Sequence, residues 1–208
     1  MGKLNTDCLN HYQTTTAHFK GDEMKTRPLT ENEINLLKAS TELLVHKTMI
    51  EVLYRTGYRI SELLSMKYDD VVHPNGTTRN IVTVSSWAMK GNESCRSVPL
   101  SDSAKKALME YLATRKSSNP FLWVTSKGNR VRRQHFHYTL KEAAEAAGID
   151  PDRVASHSFR KTFAKKIYDK SGNSLIITQK ALGHKSITST VAYLEFDAGE
   201  VERLILED

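Results

Sequence analysis

The chain has 208 residues, 39% of them hydrophobic, which is enough for a sizeable buried core. Its formal net charge of +6 and its pI of about 9.2 are compatible with an acidic partner such as nucleic acid, but do not establish one. No apolar run approaches membrane-spanning length and no hydrophobic signal region follows Met1. The two cysteines, Cys8 and Cys95, lack metal-ligand spacing and fit a reducing environment, so we expect a cytoplasmic protein without membrane association.

The N-terminal third predicts a polar tail followed by three helices. Residues 1–27 are mixed in charge and have no apolar period, and we interpret them as a tail or arm. A capping box at residues 30–33 then precedes the first helix of the domain. A second helix is predicted over residues 46–55 and ends at Gly57. Apolar residues at 60, 63 and 64 predict a third helix, with Arg59 at its start.

The pattern then changes to two short strands. An Asn-Gly turn precedes residues 81–84, which alternate in polarity as a strand does. A second turn begins at Lys90 and precedes a returning segment at residues 96–100. Pro99 is compatible only with the edge or the end of this return strand. These segments predict a small antiparallel hairpin.

Helices predominate again after the hairpin. Asp102 is predicted to cap a helix that runs to about Arg115, and residues 121–124 form a short buried run. A basic stretch then leads into a helix that ends near Gly148. His135 and His137 lie two apart on that helix and do not face one metal site, so we predict a surface that binds DNA and no bound metal. The residues assigned to DNA contact are Arg96, Arg130, Arg132 and Arg133.

The most informative stretch begins with a helix that carries two ionisable residues on its apolar face. His157 and Arg160 lie three apart and therefore share that face. Ser156 is a suitable N-cap, and a capped N-terminus with an arginine nearby favours an anion such as phosphate. Simple solvation does not explain this placement, and we interpret the pair as a binding site for a phosphate group.

Two further residues with chemical potential follow. Gly183 is predicted to end a helix over residues 175–182 and to release His184 beyond it. Tyr193 then falls about two turns into the next predicted helix, over residues 187–194. The stretch therefore offers a second imidazole and a phenol with nucleophilic potential.

This order of His-x-x-Arg, Leu-Gly-His and a downstream Tyr resembles the C-terminal signature of the tyrosine recombinases, the phage integrase family. Residues 56–63 are similar, nearly residue for residue, to the first-arginine box of that family, and Lys90 matches its hairpin lysine. The similarity covers roughly Leu29 to Leu194 and implies the family's catalytic-domain fold, mainly α-helical with a small antiparallel β-sheet. The six catalytic residues that it implies are Arg59, Lys90, His157, Arg160, His184 and Tyr193.

The resemblance implies a site-specific recombinase that cleaves and rejoins DNA through a 3′-phosphotyrosyl intermediate. Arg59 and Arg160 are expected to bind the non-bridging phosphate oxygens, because a planar guanidinium donates to two oxygens at once and stays protonated. His184 adds a hydrogen bond, and Glu62 supports Arg59 from behind.

The remaining residues are expected to move protons. Tyr193 is the nucleophile, His157 accepts its proton, and Lys90 protonates the leaving 5′ oxygen. The covalent link conserves the phosphodiester, so neither ATP nor a metal nor any other cofactor is expected.

The chain departs from the common family pattern in two ways. Lys161 replaces a second histidine after Arg160, and its position off the active face predicts little catalytic cost. Only a short tail precedes Leu29, where most members carry a DNA-clamping domain. The chain thus resembles minimal members, such as those that invert fimbrial promoter switches, and is equally compatible with a catalytic fragment. The predicted organisation is a tail over 1–27, a catalytic domain over 28–196 and a C-terminal segment over 197–208.

The expected partners are double-stranded DNA with specific recombination sites and further copies of this chain. We expect a tetramer on DNA and mainly monomer in solution, in a bacterial or archaeal cell or encoded by a phage or plasmid. Residues 197–208 predict a short amphipathic helix with Val201, Leu204 and Ile205 on one side, either exchanged between subunits or folded back. Two alternative functions stay open: a type IB topoisomerase, and a DNA-binding regulator without activity.

Overall fold

The computed structural model describes residues 26–84 and 95–194. Over these ranges the chain forms nine α-helices, one 3₁₀ turn and one two-stranded antiparallel sheet, which confirms the predicted fold class. Lys90, almost all of the predicted N-terminal tail and the predicted C-terminal helix lie outside the described residues. No helix within those residues is both long and apolar enough to cross a bilayer.

The elements are numbered here in chain order. Those before the sheet are α1 Glu31–Ser40, α2 Leu44–Thr56, α3 Ile60–Ser65 and α4 Tyr68–Val71. The strands are β1 Ile81–Val84 and β2 Arg96–Pro99. Those after the sheet are α5 Asp102–Thr114, α6 Arg133–Ala146, the 3₁₀ turn Pro151–Arg153, α7 Ser156–Lys170, α8 Leu175–Leu182 and α9 Ile187–Leu194.

Two of the predicted helix caps differ from those observed by one residue. Ser101, not Asp102, caps α5, because its hydroxyl accepts a hydrogen bond from the Ala104 N–H at 3.3 Å. Ser156 is already helical and Ala155 occupies the cap position of α7. The Ser158 hydroxyl accepts the Ala155 N–H at 3.2 Å, so the helix start is closed from within the first turn. The predicted capping box of α1, by contrast, is confirmed.

Helix α2 is the centre of the fold. It packs against α1, α5 and α7, and ten of its thirteen residues are buried, including Met49, Ile50 and Leu53. A helix enclosed on several sides needs apolar residues around most of its circumference, as here. A second apolar cluster of Phe163, Ala164, Leu182 and Leu194 joins α7, α8 and α9. The C-terminal end of α2 therefore lies where these three helices meet the main core.

Hydrogen bonds from Tyr58 and from Arg96 attach the sheet to the end of α2. β1 and β2 are antiparallel, with Val84 opposite Arg96 and Ile81 opposite Pro99 at the strand end, as Pro99 requires. The buried Tyr58 hydroxyl, just after α2, donates to the Val82 carbonyl at 2.7 Å. The described chain stops at Val84 and resumes at Cys95, and Val84 lies opposite Arg96.

Gly57 ends α2 in a left-handed conformation, and its neighbours leave no space for a side chain at this position. Its φ is +60°, and a Cβ placed there would overlap the ring of Phe163. Left-handed backbone costs a non-glycine residue about 1–2 kcal/mol, and overpacking costs about 1–3 kcal/mol. We therefore expect Gly57→Ala to lower the free energy of unfolding by about 2–5 kcal/mol, measured by urea denaturation.

Gly148 provides the matched control for this prediction. Its φ is +69°, but no atom lies within 4 Å of the position that a Cβ would take. Gly148→Ala should therefore cost only the backbone component, about 1–2 kcal/mol. Equal losses in the two variants would show that Phe163 does not constrain the turn.

Candidate active site

The C-terminal ends of α2 and α8 converge on a buried guanidinium. Arg160, in α7, is 1% exposed and donates through Nη1 to the Gly57 carbonyl and through Nη2 to the Leu182 carbonyl at 2.8 Å. The last carbonyls of a helix have no partner within it and carry the negative end of its dipole. One arginine therefore donates to the ends of two helices.

The hydrogen bonds to these carbonyls do not neutralise the positive charge of Arg160. Its Nε is buried and has no hydrogen-bond partner among the described residues. Burial, together with the positive charges of Arg59 and Arg96, lowers the pKa of Arg160 to about 10, so it stays protonated at neutral pH. A protonated guanidinium with a free donor in a positive surrounding favours an anionic ligand.

Arg59 is fixed by Glu62 at the start of α3. The Glu62 carboxylate is fully buried and accepts the Arg59 backbone N–H and its Nη1, both at 2.7 Å. Burial raises the pKa of Glu62, but the Arg59 N–H and the charges of Arg96 and Arg160 outweigh it and hold the pKa below its ordinary value. The ionised carboxylate thus orients Arg59, whose side chain keeps 34% of its surface exposed. The supporting role of Glu62 in catalysis stays a prediction.

Tyr193 lies beside both histidines and Arg160 of its own chain. Its ring centroid is 5.0 Å from that of His184 and 6.3 Å from that of His157. The Arg160 Cζ lies 5.7 Å from the same ring. Of the six predicted catalytic residues the structure describes five, all but Lys90, and it brings these five together. Arg59 is joined to the others through Glu62 and Arg96.

His184 is held in its place by two side chains. Its Nδ1 lies 3.0 Å from the hydroxyl of the fully buried Thr190, and Gln179 Nε2 donates to its carbonyl at 3.1 Å. Burial, then the charges of Arg160, Arg59 and Arg96, lower the pKa of His184 to about 4. The ring is neutral at pH 7, and a Thr190 hydroxyl that donates to Nδ1 leaves the ring proton on Nε2 as a donor.

Thr190 and Gln179 are site residues that the sequence analysis did not identify. Thr190 is six residues from His184 and on the next helix, a spacing with no helical or strand meaning. A threonine three residues before a tyrosine in a predicted helix does not by itself indicate a functional role. Only the packing of α9 against α8 brings the hydroxyl to the ring.

Arg96 requires a correction. We predicted that it contacts DNA, but its side chain is only 9% exposed and each terminal nitrogen donates to two groups of the protein. An arginine must be exposed to contact DNA. The side chain of Arg96 points into the protein instead, because Arg96 lies opposite Val84 on the buried face of the sheet. Its acceptors are the carbonyls of Thr56, Gly57 and Ala181 and the carboxylate of Glu62.

Lys161 lies away from the predicted catalytic residues. It is buried, and its Nζ donates to the carbonyl of Thr26 at the start of the described chain. Adjacent helix positions are rotated by about 100°, so Lys161 faces a different side of α7 from Arg160. The predicted orientation of Lys161 is therefore observed.

An open groove of about 1120 Å³ lies beside α3 and is rich in basic residues. Arg130 stacks on Phe121 at 3.9 Å and donates to the Leu64 carbonyl at 2.7 Å, so its guanidinium is braced at the groove. Arg132 and Arg133 are exposed there. The other lining residues are Leu43, Ser61, Leu64, Ser65, Thr125, Ser126, Lys127, Asn129, Val131 and His135. Across the described part of the chain no group of three His, Cys, Asp or Glu side chains could hold a metal ion.

Comparison with known proteins identifies the family of the chain. The phage integrase family profile matches residues 27–200. A tyrosine recombinase XerC from Herpetosiphon aurantiacus is 34% identical over 167 residues, which cover 77% of this chain and 51% of that protein. A XerD from Rickettsia prowazekii is 32% identical over 170 residues, covering 76% and 53%. The chain thus spans about half the length of these curated relatives.

Solved structures show the same fold. XerA recombinase superposes with a TM-score of 0.70 at 24% identity, over 87% of this chain and 65% of that one. XerH, bound to palindromic difH DNA in a post-cleavage complex, gives 0.67 at 25% identity, over 86% and 51%. The match to the family profile extends over most of the chain and includes every described residue of the site. This protein therefore belongs to the phage integrase family of tyrosine recombinases.

Proposed function

We propose that this protein is a site-specific DNA recombinase that cleaves and rejoins strands through a covalent 3′-phosphotyrosyl bond. The observation that carries the proposal is the placement of Tyr193 beside His184, His157 and Arg160 of its own chain. A phenol among buried cations and neutral or accepting imidazoles suits attack on a phosphodiester.

In the proposed reaction the Tyr193 oxygen attacks the scissile phosphorus and the bond to the 5′ oxygen breaks. Negative charge that develops on the non-bridging oxygens is stabilised by Arg59, by Arg160 and by a hydrogen bond from His184. His157 accepts the tyrosine proton. The leaving 5′ oxygen receives its proton from Lys90, and the reverse attack by a 5′ hydroxyl of a second duplex completes strand exchange. No cofactor enters this scheme.

A type IB topoisomerase would use the same chemistry on one duplex. The similarity of the chain to XerC and XerD recombinases favours exchange between two duplexes. A supercoiled plasmid with two sites separates the two activities, since recombination changes the connectivity of the sites and relaxation does not. A non-catalytic regulator is disfavoured by the presence of an assembled site with its tyrosine. We place such an enzyme in the cytoplasm of a bacterial or archaeal cell, where its DNA is.

Tyr193 should be the residue that becomes linked to DNA. With a nicked suicide substrate in the presence of EDTA, wild type should form a covalent adduct that is resolved on a denaturing gel. Tyr193→Phe should form none while binding DNA almost as tightly, because only the attacking oxygen is lost. Tyr168→Phe, a tyrosine of α7, is the matched control and should retain the adduct. An adduct that persists in Tyr193→Phe, or a strict need for added magnesium, would contradict the proposal.

The basic groove is proposed to hold the DNA backbone. Arg132→Gln and Arg133→Gln should each lower the slope of log K against log salt by about one, because each arginine that contacts a phosphate releases about one counterion. Lys165→Gln is the control, since Lys165 is exposed on α7 and pairs with Asp169 at 3.8 Å. Fluorescence anisotropy at several salt concentrations measures this. Unchanged slopes for both arginine variants would remove the groove from the DNA interface.

We further propose that the C-terminal segment of one subunit docks on a neighbour, within a tetramer that forms on DNA. The helices α8 and α9, which pack on each other, carry four exposed apolar side chains: Ile176 at 61%, Ile177 at 50%, Ile187 at 43% and Val191 at 36% exposure. The three apolar side chains on one side of the helix predicted in residues 197–208, Val201, Leu204 and Ile205, are worth about 5–9 kcal/mol in total if buried. Association costs about 4–15 kcal/mol, so the free protein should be mainly monomeric, with adjacent DNA sites raising the effective concentration.

Truncation after Gly199 tests this docking. The truncated chain should still cleave a single suicide site but should lose recombination between two sites, because only assembly depends on the segment. Ile176→Ser combined with Ile177→Ser should reproduce the phenotype from the receiving surface, while Met109→Ser, at an exposed apolar residue of α5, should not. Normal recombination by the truncated chain, or an unfolded truncated chain, would refute exchange of the segment.

A further inference from the structure

The side chain of Arg96, the first residue of β2, donates hydrogen bonds to groups at three helices of the described structure. Its Nη2 donates to the Thr56 carbonyl at 2.9 Å and to the Ala181 carbonyl at 2.7 Å. Its Nη1 donates to the Gly57 carbonyl and to Glu62 Oε2, both at 3.2 Å. The guanidinium thus joins the end of α2, the middle of α3 and the end of α8.

These acceptors need an arginine. Two terminal nitrogens in a rigid plane reach four oxygens that lie in different directions, whereas the single ammonium of a lysine cannot. The neighbours also fit the shape of the side chain: the Tyr58 ring lies 5.0 Å from Cζ, and a Cβ on Gly183 would come within 3.1 Å of Cδ. Gly183 therefore leaves space for the stem of Arg96 immediately before His184.

Three of the four acceptors of Arg96 lead to a residue that the proposed reaction uses. Glu62 orients Arg59. The Gly57 carbonyl is shared with Arg160, and Ala181 precedes Leu182, whose carbonyl holds Arg160 as well. With 9% of its side-chain surface exposed, Arg96 acts through these groups and not by contact with DNA.

We infer that Arg96 is a positioning residue of the proposed strand cleavage, holding the ends of α2 and α8 and the Glu62 carboxylate in one arrangement so that Arg59, Arg160 and His184 bind the same phosphate. The inference rests on the proposed function. Because Arg96 is the first residue of β2, the same hydrogen bonds also fix the start of this strand, which follows the segment that contains Lys90.

The positive charge of Arg96 has a second, separable effect. His184 is surrounded by Arg160, Arg59 and Arg96, with Glu62 as the opposing charge, and burial followed by these three cations lowers its pKa to about 4. Removing one cation should raise the pKa of His184 toward its ordinary value of about 6.5. Replacing Arg96 by another cation should leave it low. Geometry and charge can therefore be tested with different substitutions.

The experiment compares Arg96→Lys, which keeps the charge and loses the fork, with Arg96→Met, which loses both. Val98→Ala is the control, because Val98 is a buried residue of the same strand that truncation destabilises without touching the site. Each variant is assayed for folded fraction, DNA affinity, single-turnover adduct formation on a suicide substrate, and the His184 ring titration by NMR.

We expect Arg96→Lys to form the adduct about 10- to 100-fold more slowly at saturating DNA, with unchanged affinity and an unchanged His184 titration. Arg96→Met should lose rate at least as strongly and should raise the pKa of His184. If Arg96→Lys is folded and cleaves at the wild-type rate, or if Val98→Ala loses the same rate per folded molecule, the inference is overturned. Absence of an adduct in wild type would instead reject the proposed function, and the inference with it.

Discussion

The whole site depends on one electrostatic constraint. Buried carbonyls at two helix ends need hydrogen-bond donors, and arginine side chains supply them. The carbonyls at the ends of α2 and α8 are enclosed by α7 and β2, and unpaired they would cost about 1–3 kcal/mol each. Arg160 and Arg96 donate to both ends at once and share the Gly57 carbonyl. Elements far apart in sequence are thereby locked to one point. Gly57 makes this possible, because any side chain there would overlap Phe163.

The same constraint leaves the site positive. Helix dipoles, which carry only partial charge, face the two buried arginines, and Glu62 is the only buried carboxylate close to them among the described residues. Three positively charged guanidinium groups therefore surround one negatively charged carboxylate. A bound phosphate would balance the remaining positive charge. The surplus also keeps His184 neutral, so that its ring donates a hydrogen bond instead of adding a fourth cation.

The proposed catalytic site and the proposed DNA-binding groove lie a short distance apart. Arg59 begins α3 and belongs to the site, whereas Ser61 and Ser65 of the same helix line the basic groove. Arg130, braced by the Leu64 carbonyl at the end of α3, connects the groove to that helix from the other side. DNA held in the groove would therefore register its backbone directly against Arg59. Family membership and this arrangement are independent arguments for the same function.

What the sequence alone determined were features with local causes: the capping box at Thr30, the helix ends at Gly57 and Gly183, the strand end at Pro99, and the order of the reactive residues. Each depends on side chains or backbone angles a few positions apart. Helix starts shifted by one residue at Ser101 and Ala155, where neighbouring residues compete for one cap. Arg96 and Thr190 were decided by tertiary structure only. The carbonyl acceptors of Arg96 lie 39 to 85 positions away, and the hydroxyl of Thr190 meets His184 only because α9 packs on α8; burial by distant elements leaves no periodic trace in the chain.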